Sequence, residues 1–156
     1  MKKIIHLSDL HIGYRDCGKN FRTIIENIAF LKQPAENYVV VITGDLEDNA
    51  HEPLHAEEAM ECVAHLEQLG YTVLLIPGNH DWENGSRGGY NAILRQQLYV
   101  DFLGKKNVKY FPEDGCPGPV EVPVGKDVVL ILFDSQWWLH PFDKPEIESD
   151  CKCKTK

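Results

Sequence analysis

The chain has 156 residues, 43% of them apolar and 26% charged, with a formal net charge of -8 at pH 7. That length suits one domain with a real core, and the acidic balance excludes electrostatic capture of nucleic acid or of an anionic membrane as the default. No apolar run approaches the roughly 18 residues that span a bilayer, and the amino-terminal MKKIIHLSDL turns polar by Asp9, too early for a secretory signal; the expected compartment is the cytoplasm.

Taken in order, Ile4 to Leu7 reads as a short strand. Apolar residues at 21, 24, 25, 28 and 31 give a helical period over Asn20 to Lys32, with Asn20 as the expected N-cap. Tyr38 to Thr43 (YVVVIT) is apolar or β-branched throughout, as in a strand covered on both faces. A helix is expected from Pro53 to Leu69, with proline in the first turn and Gly70 just past the end. Thr72 to Ile76 is another buried strand, closed by Pro77-Gly78. A third helix covers Tyr90 to Leu103. Residues 108–111, 120–124 and 128–133 are strand-like and separated by Gly/Pro turns, and from Pro141 onward the chain reads as irregular. A βαβαβα order followed by a β-meander predicts an α/β fold with helical crossovers.

Five cysteines lack paired spacing, so reduced thiols are expected. Cys151-Lys152-Cys153 is a weak soft-metal signal.

The polar residues that carry chemistry gather at strand ends. Strand one ends in Ser8-Asp9-Leu10-His11, strand two in Gly44-Asp45-Leu46-Glu47-Asp48-Asn49, and strand three in Gly78-Asn79-His80-Asp81. Ligands of α/β sheets bind at the carboxyl ends of parallel strands. Each cluster alone is ordinary turn chemistry. Together they place several carboxylates side by side, which repel unless a cation compensates them. Carboxylate, imidazole and amide donors suit Mn, Fe, Zn or Mg.

The motifs S-D-L-H, G-D-L-E-D and G-N-H-D, in that order, resemble the calcineurin-like metallophosphoesterase family over about residues 3 to 140. The resemblance implies an αββα sandwich, with the second sheet incomplete in this chain, and a single domain over 1–156 truncated at its C-terminus. It implies two divalent cations (Mn, Fe or Zn, with Mg possible) and no organic cofactor. Asp9 and His11 would hold the first metal, Asp45 would bridge both, and Asn79 would bind the second. His80 would face the phosphate and assist the leaving oxygen, oriented by the carboxylate of Asp48. Asp81 would brace the turn. The implied reaction is in-line hydrolysis of a phosphomonoester or phosphodiester.

The family pattern also has histidines downstream, including a Gly-His-x-His, and after Asp81 this chain has only His140. A substrate or surface role is expected for His140 rather than metal ligation. Completion of the site is expected from a downstream part of the same polypeptide or from another chain. Trp137 reads as core, whereas Trp82 and Trp138 fit either core or pocket. Arg87, in a glycine-rich loop, reads as solvated. His55 is expected at the surface; His51 follows the second motif closely enough to approach the site, but a role there is not the favoured reading. Glu57, Glu58 and Glu61 form a solvated helix face.

Three functions are compatible with these residues. The first is a metal-dependent phosphoesterase acting on a small phosphate ester. The second is a non-catalytic scaffold or inactive fragment of such an enzyme. The third is a nuclease, since IIHLSDLHIG is similar to the DNA-repair nuclease branch, although the acidic balance disfavours a nucleic-acid partner. No membrane partner is expected.

Overall fold

The computed structural model describes residues 2–50, 52–147 and 149–151. Four parallel strands, β1 (Lys3–Leu7), β2 (Tyr38–Thr43), β3 (Thr72–Ile76) and β4 (Val108–Tyr110), form one sheet in the order β1-β2-β3-β4. The crossovers are α1 (Cys17–Ala29), α2 (Pro53–Gln68) and α3 (Gly89–Phe102). An antiparallel pair, β5 (Val120–Val124) and β6 (Val128–Leu132), makes a second sheet, followed by the single-turn α4 (Gln136–Leu139).

When each strand is added beside the previous one with crossovers of one hand, every connecting helix falls on the same face. The core shows this. Val40 and Ile42 of β2 and Val73 and Leu75 of β3 pack in one cluster with Phe21, Ile25 and Ile28 of α1, Val63 and Leu66 of α2, and Ile93 and Val100 of α3. The other face presents Val39, Val41 and Leu74, which Val124 and Leu132 of the hairpin cover. That second cover is partial: Ile4 is 46% exposed, and Val129 and Ile131 of β6 face solvent. β2 is thus buried on both faces, as its continuous apolar sequence predicts.

Three boundaries differ from the sequence reading. α1 begins one turn early, at Cys17, and ends at Ala29. Asn20 is therefore inside the helix, its N–H donating to the Asp16 carbonyl at 2.8 Å. The buried stripe Phe21-Ile25-Ile28 was the correct face, but Leu31 lies beyond the helix and is 40% exposed. Residues 108–110 do not join a meander; the α3 crossover delivers them parallel to β3, pairing Val73 with Val108 and Leu75 with Tyr110. The turn α4 falls in a stretch for which no helix was expected. Among the described residues no helix is long and apolar enough to cross a membrane.

The expectation of reduced thiols fails at two positions. Cys116 and Cys151 are joined in a disulfide across 35 residues, with their Cα atoms 5.7 Å apart. Cys17 and Cys62 are free, and Cys153 lies outside the described residues.

Ile25 is fully buried while Phe30, just past the same helix, is 85% exposed. In urea unfolding, Ile25→Ala is expected to cost about 2–5 kcal/mol, and Phe30→Ala to stay within about 0.5 kcal/mol of the parent.

Candidate metal centre

The carboxyl ends of β1, β2 and β3 meet through backbone contacts before any side chain is considered. Asp9 N–H donates to the Gly44 carbonyl at 3.1 Å, His11 N–H to the Asp45 carbonyl at 2.9 Å, and Asp48 N–H to the Ile12 carbonyl at 3.0 Å. These bonds lace the first loop to the second. Between the second and third, the main chains touch: a Cβ on Gly44, whose φ is +96°, would stand 2.6 Å from the Gly78 Cα. Only glycine allows that approach.

Asp9, His11 and Asp45 all occupy the left-handed region, with φ of 55°, 44° and 54°. Such a backbone costs of order 1–3 kcal/mol per non-glycine residue and persists where the surroundings enforce it. Here it turns three side chains to one spot. One ligand atom each from Asp9, His11 and Asp45 forms a group within 4.8 Å, and one each from His11, Asp48 and His80 forms a second such group. His11 belongs to both. Its Nε2 is 4.0 Å from Asp45 Oδ2 and its Nδ1 is 3.3 Å from Asp48 Oδ1. The Nδ1 contact lacks hydrogen-bond geometry, so this buried nitrogen has no partner. An unpartnered imidazole nitrogen among carboxylates fits a divalent cation better than an empty polar cluster. Asn79 is at the tip of β3, its Nδ2 donating to Asn84 Oδ1 at 2.8 Å, a bond that does not use the amide oxygen.

Asp45 also organises the third loop. Its Oδ1 accepts the His80 backbone N–H at 2.9 Å, which leaves Oδ2 on the His11 side. His80 Nδ1–H donates to the backbone carbonyl of Asp48 at 2.8 Å, whereas the Asp48 carboxylate is 4.0 Å away and nearer to His11. The orienting bond expected from the Asp48 carboxylate is therefore made by its main chain. Because a carbonyl only accepts, the contact places a proton on Nδ1 and turns Nε2 outward. A cleft of about 340 Å³ opens beside His80, lined by Asp48, Asn49, Ala50, Glu83, Asn84 and Ser86.

Beneath the loops lies a layer of buried polar groups, of which the sequence singles out Asp81 as a brace but not Gln96 or Tyr110. Asp81 does brace the turn: its Oδ2 accepts the N–H groups of Asp45 at 2.8 Å and Gly78 at 2.7 Å. Its Oδ1 accepts Gln96 Nε2 at 2.8 Å, and Tyr110 Oη–H donates to Gln96 Oε1 at 2.9 Å. Burial pushes Asp81 up to about 6 despite these donors. Glu47, 1% exposed, is raised to about 8 by burial and by the neighbouring Asp81. Burial likewise pushes the Tyr110 phenol well above its ordinary value. Gln96 was detectable in principle, because it occupies the buried register of α3 with Gly89, Ala92, Ile93 and Val100.

Trp82 is core, 1% exposed, with Nε1–H donated to Asp134 Oδ2 at 2.7 Å. Trp137 is half-buried and Trp138 is 54% exposed. Of the two roles expected for His140, the surface one fails: it is 3% exposed, its ring 4.7 Å from that of Trp82 and its pKa lowered by burial, and it lines a pocket with Asn79 and Asn84. It belongs to neither ligand group among the described residues. Arg87 is exposed, its guanidinium over the Phe142 ring. His55 is half-buried with a buried, unpartnered Nδ1, not a surface residue. Glu58 and Glu61 meet Arg22 at the surface, and His51 lies outside the described residues.

The sequence profile of the calcineurin-like phosphoesterases matches residues 2–145, nearly the whole chain. The chain belongs to the calcineurin-like phosphoesterase family. Within it, this chain is 34% identical over 87 residues to the DNA double-strand break repair protein Mre11 of Aeropyrum pernix. The match takes in 52% of this chain and 21% of that relative, so the chain spans about a fifth of the longer protein. The α/β architecture with a parallel sheet and a small second sheet agrees with the family.

Asp134, which holds Trp82 and the first turn of α4, yields a pH test. Burial, partly offset by hydrogen bonds from Trp82, Gln136 and Trp137, raises it from its ordinary 3.8 to about 6. The folded state therefore binds this proton more tightly than the unfolded chain. Its contribution is fully present below about pH 4, is lost as pH rises towards about 6, and stays lost above that. Asp134→Asn removes the titration. Relative to the parent, the variant is expected to gain about 2–3 kcal/mol between about pH 4 and pH 7 in denaturant unfolding, on top of any pH-independent offset from the lost acceptor.

Proposed function

We propose that this phosphoesterase hydrolyses a small phosphomonoester or phosphodiester at a centre held by Asp9, His11, Asp45 and Asn79, with His80 serving the leaving group. The observation that carries this reading is the convergence of Asp9, His11 and Asp45, each in a left-handed backbone conformation, within 4.8 Å. Strain of this kind at Asp9 and His11 has no use in packing, since Asp9 is exposed and His11 half-buried.

When bound, divalent cations such as Mn, Fe or Zn would supply charge neutralisation at the phosphoryl oxygens and a water acidic enough to attack. The protein's own groups do the rest. Asp45, in one ligand group with Asp9 and His11, is suited to bridging because its two oxygens face different ways: Oδ2 lies on the His11 side, and Oδ1 keeps His80 in place through the backbone N–H. The Asp48 carbonyl holds the His80 ring through Nδ1–H, so in the imidazolium form the second proton, on the outward Nε2, can be delivered to the departing alkoxide. The polar wall beside His80 offers amide and hydroxyl groups for a small hydrophilic leaving group.

A nuclease is the second reading, favoured by the similarity to a protein named for DNA double-strand break repair. Against it, the net charge of -8 gives no basic footprint for a duplex.

Calorimetric titration with Mn²⁺, and hydrolysis of p-nitrophenyl phosphate, its bis ester and linear DNA, test both readings. Asp45→Asn is expected to weaken Mn²⁺ binding at least about 10-fold. His80→Ala is expected to leave binding within about 3-fold and lower kcat by about 10²–10⁴. Absence of metal uptake by the parent, or unchanged turnover in either variant, would sink the proposal. Faster turnover of DNA than of the small esters would select the nuclease.

A further inference from the structure

We infer that Gln96 and Tyr110 are positioning residues for the metal ligand Asp45, acting through the carboxylate of Asp81; the inference rests on the metal-site reading above. Four hydrogen bonds form the path. One oxygen of Asp81 accepts from the main chain at both loop tips, Asp45 N–H at 2.8 Å and Gly78 N–H at 2.7 Å. It thereby sets how far the Asp45 loop stands from the loop carrying Asn79 and His80. The other oxygen accepts Gln96 Nε2 at 2.8 Å. Gln96 in turn receives the Tyr110 hydroxyl at 2.9 Å on Oε1.

The chemistry of the amide gives each member a separate task. A carboxylate that accepts three N–H groups has one rotamer that satisfies all of them. The amide facing it must show its nitrogen, because a flipped amide would set oxygen against oxygen. A donor on the far side opposes the flip from the other end of the amide, and the Tyr110 hydroxyl is that donor. Asp81, Gln96 and Tyr110 are 1%, 4% and 6% exposed, so water is a poor substitute for any missing partner. Glu47, also buried, lies beside the amide, and its Oε1 has no hydrogen-bond partner. The path runs from β4 through α3 to the tips of β2 and β3. Two elements that hold no predicted ligand thus determine where one ligand stands.

The test combines amide hydrogen exchange in the metal-free protein with Mn²⁺ titration, both near neutral pH. Tyr110→Phe removes the hydroxyl alone, and Gln96→Met removes the amide at similar size. Each is expected to speed exchange at Asp45 and Gly78 about 10-fold or more, while Val40 and Val41 in the middle of β2 change little. Each is also expected to weaken Mn²⁺ binding about 10-fold, the scale seen when a partner of a metal ligand is removed.

The reciprocal pair Asp81→Asn with Gln96→Glu exchanges donor and acceptor at the same net charge. The Asn oxygen then accepts the two backbone N–H groups, its nitrogen donates to the new carboxylate, and Tyr110 donates to the other carboxylate oxygen. Made in a Glu47→Gln background, so that no second buried carboxylate faces the new one, this double variant is expected to recover both readouts to within about 3-fold of that background, whereas Asp81→Asn alone does not. Should Gln96→Met fail to fold, Tyr110→Phe and the double variant decide. Equal acceleration at Val40 and Asp45, meaning a general loss of stability, overturns the inference, as does affinity unchanged in the single variants. A parent that takes up no Mn²⁺ overturns the metal reading as well, a result distinct from uptake that is equal in all variants.

Discussion

One oxygen atom, Asp81 Oδ2, spans the gap between two strand tips, and the geometry of the whole rim follows from it. It accepts an N–H from each of the second and third loops, and it can do so only because Gly44 and Gly78 let the two main chains touch. With that distance fixed, the His80 N–H falls on Asp45 and the His80 ring on the Asp48 carbonyl. The first loop is then added by backbone bonds of its own. Side-chain chemistry at the surface thus depends on main-chain hydrogen bonding one layer below.

The sheet places this rim for a topological reason. Strands added in sequence order, with crossovers of one hand, put α1, α2 and α3 on one face and leave the opposite face to the hairpin. The loops that leave β1, β2 and β3 at their carboxyl ends therefore lie next to one another, each at the start of a path to a helix. No long-range folding back is needed to assemble Asp9, Asp45 and Asn79. The apolar side chains that remain on β6 belong to the thinly covered side of the sheet, away from the helices.

Much of this was legible in the chain because it is encoded locally. The runs IIHL, YVVVI and TVLLI mark buried strands, and the polar residues that end them can only project from the rim. The Phe21-Ile25-Ile28 stripe gave the α1 face even though its start was misplaced by a turn. What stayed hidden depends on partners far apart in sequence. A glutamine inside an amphipathic helix looks like solvent-facing polarity until Tyr110, fourteen residues on, is brought above it. Residues 108–110 look the same whether they join a meander or a parallel sheet, because the neighbour is chosen by the crossover. The pairing of Cys116 with Cys151 follows from where the chain returns. For Asp48 the residue was foreseen and the atom was not, since sequence names side chains and the contact with His80 uses the main chain.

The left-handed turns at Asp9, His11 and Asp45 have a bearing on how this molecule would respond to selection. Glycine accepts such a conformation without penalty, so replacing an aspartate or histidine there relaxes the backbone and removes a ligand in one step. The exposed Asp9, whose side chain contributes little to packing, is the site where that exchange is cheapest. A screen that rewards resistance to heat alone would therefore drift towards an emptied rim on an intact sheet. At Asp9 robustness and chemistry therefore pull in opposite directions, whereas at Asp45 the bond to the His80 N–H sets both on the same side.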